Sequence, residues 1–96
     1  MHVVVVSVNY KTADVAMREK LAFNDQEIEN ALVTLNNQKS ILECVILSTC
    51  NRTEVYAVVD QIHTGKYYIQ SFLADWFDQS LDTIKQYTNV LTENDA

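Results

Sequence analysis

Apolar and polar positions along this 96-residue chain switch between the period of a strand and the period of a helix. Residues 3–8 (VVVVSV) are β-branched and almost unbroken, the pattern of a buried strand. Asn9-Tyr10-Lys11-Thr12 ends that run, and a short helix is predicted from Ala13 to Lys20, capped by Thr12, with Asp14 near its positive end. A clearer helix is predicted from Asn24. Asn24 and Glu27 have capping-box spacing, and Ile28, Ala31, Leu32 and Leu35 then form one apolar stripe. Asn36-Asn37-Gln38 closes it. Ile41 to Leu47 and Glu54 to Val59 read as two strands, and the short segment from Ser48 to Thr53 favours an antiparallel hairpin. Gly65, the only glycine, is expected to precede a second helix, whose stripe is Ile69, Phe72, Leu73 and Trp76. Ser80 is predicted to cap a third, short helix with Ile84 and Tyr87 inward, and Asn89 to Thr92 form a last strand.

The order β-α-β-β-α-β predicts an α+β fold: a ferredoxin-like sandwich with helices on one face of an antiparallel sheet. The length suits one domain, and neither repeats nor linkers interrupt residues 1–96. No apolar run approaches the ~18 residues that a bilayer span requires. The start lacks the basic region and cleavage site of a signal peptide, so a soluble, cytoplasmic protein with no membrane partner is expected. The final residues, Glu93-Asn94-Asp95-Ala96, read as a stop inside a longer protein.

Seven basic and thirteen acidic side chains leave a net charge of −6. That argues against phosphate-backbone affinity as the chain's main business, although another domain could supply the charge for touching one end of a nucleic acid. One glycine cannot build a dinucleotide or phosphate loop. Tyr67, Tyr68, Trp76 and Phe77 lie at helical spacing on an acidic chain, which favours core packing over base stacking. His2 and His63 have no partner at metal or base spacing, so no metal site is expected.

The cysteines differ in setting. Along one extended strand, Cys44 and Cys50 stand ~20 Å apart, too far for a disulfide, and free thiols fit a reducing compartment. Cys44 sits in mid-strand and reads as a small packed hydrophobe. Cys50 is surrounded by Ser48, Thr49, Asn51, Arg52 and Thr53, a polar gap between two strands. A thiolate is the nucleophilic form, and Arg52 either favours it or presents a planar fork to a substrate carboxylate. The plainer reading of Arg52 is a solvated turn residue paired with Glu54. Thr49 offers a hydroxyl to a substrate or caps the turn. Local chemistry leaves three readings open: an enzyme with nucleophilic Cys50, a ferredoxin-like binding or regulatory module, and a thiol redox sensor using Cys50.

Residues 48–56, Ser-Thr-Cys-Asn-Arg-Thr-Glu-Val-Tyr, resemble the signature around the catalytic cysteine of the glutamyl-tRNA reductases. Asn9-Tyr10-Lys11-Thr12-Ala13 and Arg18-Glu19-Lys20-Leu21-Ala22-Phe23 resemble that family's amino-terminal motif and the segment after it. A sensor has no need of this second motif. The resemblance implies the N-terminal catalytic domain of an enzyme that converts glutamyl-tRNA to glutamate-1-semialdehyde with NADPH, opening haem (tetrapyrrole, porphyrin) biosynthesis. It implies that Cys50 attacks the aminoacyl ester and holds a glutamyl thioester, while Thr49, Asn51 and Arg52 line the glutamate pocket. The NADPH-binding domain and the domain that makes the parent enzyme a homodimer are expected outside this chain, so the fragment alone is expected to be inactive in reduction. Two departures stand out. Tyr10 replaces the family's usual His, and Ser7 replaces a usual Gly, which predicts that the following turn needs no positive φ.

Overall fold

A computed structural model describes residues 1–49 and 51–92. Four strands form one sheet: β1 (His2–Val8), β2 (Ile41–Ser48), β3 (Thr53–Val59) and β4 (Asn89–Thr92). Their spatial order is β2-β3-β1-β4, and each neighbouring pair is antiparallel. Between them run α1 (Val15–Lys20), α2 (Ile28–Asn36), α3 (Ile62–Phe77) and α4 (Leu81–Tyr87). Two crossovers, β1 to β2 and β3 to β4, each skip a neighbouring position in the sheet. This is the expected α+β, ferredoxin-like arrangement.

Side-chain alternation decides where the core lies. Val4, Val6 and Val8 of β1 and Val55, Ala57 and Val59 of β3 turn toward the helices, where Ala31, Leu35, Ile69, Phe72, Leu73 and Ile84 meet them. The opposite face of the sheet leaves Val3, Val45, Leu47 and Tyr56 exposed. On that second face Val5 and Ser7, farther along β1 than Val3, are nonetheless buried.

Some local expectations change. Asp14, not Thr12, caps α1: its Oδ1 accepts from the Met17 N–H at 2.9 Å. Thr12 is used one step earlier, its Oγ1 accepting from the Asn9 N–H at 2.9 Å, which closes the loop after β1. The Asn24–Glu27 box does form, with Asn24 N–H donating to Glu27 Oε1 (3.1 Å) and Glu27 N–H donating to Asn24 Oδ1 (2.9 Å). It closes a turn ahead of α2, whose regular part starts at Ile28.

Gly65 lies inside α3, whose first residue is Ile62. A Cβ at Gly65 would stand 2.6 Å from Val59 Cβ, so the bare backbone lets helix and sheet touch. Trp76 and Phe77 pack on the core, but Tyr67 is half exposed, its ring edge-to-face with that of Tyr68 at 5.2 Å between centroids. Tyr67 therefore departs from the core role predicted for it, because α3 turns it toward solvent.

Ser40 and Asp78 are the non-glycine residues with positive φ among the described residues. The turn after β1 therefore needs none, as Ser7 predicted. No helix among the described residues is long and apolar enough to cross a membrane.

Candidate active site

The β2–β3 hairpin ends in the turn that holds the predicted site residues. Ser48 and Thr53 face each other across it in the last paired positions of the two strands. The Thr49 N–H donates to the Arg52 carbonyl at 2.8 Å and closes the turn. Thr49 Oγ1 accepts from the N–H groups of Asn51 and Arg52, both at 3.2 Å. The Thr49 hydroxyl therefore caps the turn, the plainer of its two expected roles. Cys50, the predicted nucleophile, lies outside the described residues.

Arg52 is mostly in solvent, its side chain 63% exposed, with Nε 3.8 Å from Glu54 Oε1. Glu54 is half-buried, but the guanidinium end of the pair lies in solvent, and at 3.8 Å the contact is long enough to separate readily. The guanidinium is thus free to exchange Glu54 for another carboxylate, one it can grip with two parallel N–H bonds.

The second motif reaches the same turn. Asn9 to Ala13 close on themselves: the N–H groups of Thr12 and Ala13 both donate to the Asn9 carbonyl at 3.0 Å. The Lys11 N–H donates to Asn9 Oδ1 at 2.9 Å. Asn9 Nδ2 donates to Ser7 Oγ at 3.2 Å, tying the loop to β1. Tyr10 points into solvent, with Lys11 Nζ 5.9 Å from its ring centre.

Beyond this loop, α1 and its exit touch the hairpin twice. Arg18 Nη1 donates to the Asn51 carbonyl at 3.3 Å. The Phe23 N–H donates to Ser48 Oγ at 2.9 Å, and Ser48 Oγ is in turn 3.0 Å from Thr53 Oγ1. Sequence reasoning did not give Arg18 a site role. Its signal was membership of the Arg18-Glu19 segment, which has meaning only once the two motifs are seen together.

Cys44 is half-buried between β2 and α2, its Sγ 3.7 Å from the Leu32 carbonyl. Burial pushes its thiol up from the ordinary range, because a thiolate there would lose hydration. Since only the thiolate reacts, Cys44 is expected to alkylate slowly at neutral pH and to speed up only as pH rises past the usual thiol range of ~8.5. Mass-spectrometric mapping of iodoacetamide labelling at pH 7 and pH 9 checks this. Fast labelling of Cys44 at pH 7 would contradict the burial argument.

A family model described as glutamyl-tRNAGlu reductase, N-terminal domain, matches residues 6–96. The chain belongs to this family. It is 64% identical over 96 residues to the glutamyl-tRNA reductase of Macrococcus caseolyticus and 59% identical over the same length to that of Bacillus cereus. In both cases all of this chain is covered, against 22% of the relative. The chain thus spans about a fifth of the length of these glutamyl-tRNA reductases.

Proposed function

We propose that this chain is the N-terminal catalytic domain of a cytoplasmic glutamyl-tRNA reductase and carries its nucleophile, Cys50. The observation that supports this most is the meeting of the two sequence motifs. Residues 9–23 and 48–56, separate in the chain, are joined through Arg18–Asn51 and Phe23–Ser48. A surface turn with no function has no need of such bracing from another part of the chain.

The chemistry follows from the residue types. The Cys50 thiolate attacks the acyl carbon of the glutamyl ester and forms a C–S bond. The C–O bond to the tRNA ribose breaks, and its oxygen takes a proton as the tRNA leaves. The glutamyl group stays on sulfur as a thioester, a more reactive acyl group than the ester it replaces. Arg52, loosely held by Glu54, turns its fork to the carboxylate of the glutamyl group. A site built around that ion pair disfavours an uncharged side chain, because the guanidinium then loses its partner. Asn51, exposed and next to it in the chain, completes the polar lining.

NADPH, the reductant that the resemblance implies, does not fit the described residues. The one glycine lies inside α3, packed against Val59, and no phosphate cradle can be built from it. We assign the cofactor site, and the contacts of a homodimer, to the part of the relatives beyond this chain.

Acyl transfer tests the reading directly. Mixed with glutamyl-tRNA carrying labelled glutamate, the 96-residue chain is expected to take up label on sulfur and release free tRNA. Cys50→Ser should abolish the transfer, whereas Cys44→Ser should retain it. With NADPH added, the chain should form no aldehyde. Label that survives in Cys50→Ser would sink the assignment of the nucleophile.

A further inference from the structure

Helix α3 carries a second stripe, polar where the first is apolar. His63, Lys66, Tyr67 and Gln70 fall at i, i+3, i+4 and i+7, so they share one face of the helix. Lys85 and Thr88, at the end of α4, meet that face across an open cavity of about 480 Å³. Its volume lies within the range of roughly 300–1,000 Å³ usual for small-molecule sites.

Charge and hydrogen bonding both set this cavity apart. The chain has thirteen acidic side chains and seven basic ones, yet two lysines and no carboxylate line the cavity among the described residues. Neither ammonium group has an ion-pair partner there, not even Lys85 with Asp82, one turn before it on α4. An anion is what such a lining attracts.

Gln70 lines the same cavity, although only 3% of it is exposed. Thr88 decides which end of its amide goes unpartnered. The Thr88 hydroxyl donates its one proton to the Ile84 carbonyl at 2.7 Å, so toward Gln70 it can only accept. Gln70 Nε2 donates to it at 3.4 Å, and Oε1 is left buried with no donor. A buried acceptor without a donor is costly and uncommon.

A plainer reading is a solvated helix face with a water on Gln70. It accounts for the oxygen, but not for two cations from separate elements gathered beside it on an acidic chain.

We infer that this cavity binds a phosphorylated ribose. Lys66 and Lys85 hold the phosphate as point charges, and Gln70 Oε1 accepts from a ribose hydroxyl that enters through the cavity. Ammonium groups meet the phosphate in place of backbone N–H groups, so no glycine-rich loop is required. The inference goes beyond the acyl-transfer reading and does not need Cys50. The tRNA of that reading is one carrier of such units, and a free ribonucleotide is the other.

Resonances of the isotope-labelled 96-residue chain, titrated with ribose 5-phosphate, test this. Saturable shifts are expected for the Gln70 side-chain amide and for the backbone of Lys66 and Lys85. Lys66→Ala and Lys85→Ala, each confirmed as folded by circular dichroism, should weaken binding about three- to tenfold. Inorganic phosphate should bind about three- to tenfold more weakly than ribose 5-phosphate. Gln70→Met keeps the side-chain length, removes the acceptor and should close that gap. Equal binding of the two ligands by the parent would overturn the hydroxyl contact, whether or not Gln70→Met folds. Lysine variants that bind like the parent would overturn the phosphate contact. A short RNA strand that shifts the same resonances, with its DNA counterpart weaker, supports an RNA as the carrier. Binding of ribose 5-phosphate with no response to RNA supports the same chemistry from a free ribonucleotide. Absence of a saturable shift with either ligand sinks the inference whole.

Discussion

Phe23→Ala should lower the stability of the fold by about 3–5 kcal/mol, the usual cost of removing a buried phenylalanine ring. Phe23 is buried at the exit of α1, and its ring is surrounded by aromatic partners on α3. Ring centroids lie 4.7 Å away for Phe77, 5.8 Å for Trp76 and 6.1 Å for Phe72. Removing the ring opens a space that three rigid neighbours on one helix cannot all move to fill. Total stabilities of small domains are about 5–15 kcal/mol, so the loss is a large share. The same residue anchors the hairpin through its backbone N–H to Ser48, and a collapsing cavity would drag on that bond. Urea unfolding followed by fluorescence and circular dichroism checks the result. The midpoint should fall with little change in slope. A shift below ~1 kcal/mol would mean that the four rings do not act as one packed unit.

Gly65→Ala is the second large effect, and its sign runs against helix propensity. In an exposed helix interior, alanine is better than glycine by about 1 kcal/mol. Here the added methyl would stand 2.6 Å from Val59 Cβ, an atom fixed to the backbone of β3. That strand is held on both sides, by β2 and β1, and cannot back away. Helix α3 must lift instead, which loosens Ile69, Phe72 and Leu73 on the same apolar stripe. Overpacking costs about 1–3 kcal/mol, and a contact this close to a fixed strand lies in the upper part of that range, at about 2–3; less the propensity gain of about 1, the net change is a loss of about 1–2 kcal/mol. In a domain of this size that corresponds to a fall in melting temperature of roughly 4–16 °C. A thermal melt at or above the wild-type value would show that the helix can ride higher on the sheet without cost.

Elements with a repeating signal were legible in the sequence, and features set by contact with something distant were not. The valines of β1, the stripe of α2 and the paired strands of the hairpin announce themselves by period, and each forms where predicted. The cap of α1 was misassigned because Thr12 and Asp14 are both good cap residues. Only the loop closure at Asn9 shows that Thr12 is already engaged. Gly65 looked like a helix boundary because glycine usually ends helices. What keeps it inside α3 is Val59, on another element. In the site, the polarity around Cys50 was visible locally, and the capping role of Thr49 was among its readings. Arg18 could not be placed there by spacing, since its bond to Asn51 depends on how α1 docks against the hairpin.

That docking has a dynamic consequence. Helix α1 is six residues long and none of its residues is fully buried, Met17 alone packing partly against the core. Such an element sits at the low end of local stability and opens far more often than the sheet unfolds. Each opening that frees Arg18 releases the Asn51 carbonyl while β2 and β3 stay paired. The fraction of molecules with a braced turn at any instant is therefore set by a short surface helix, and a protein that is fully folded by every global measure can still have its hairpin turn intermittently unbraced.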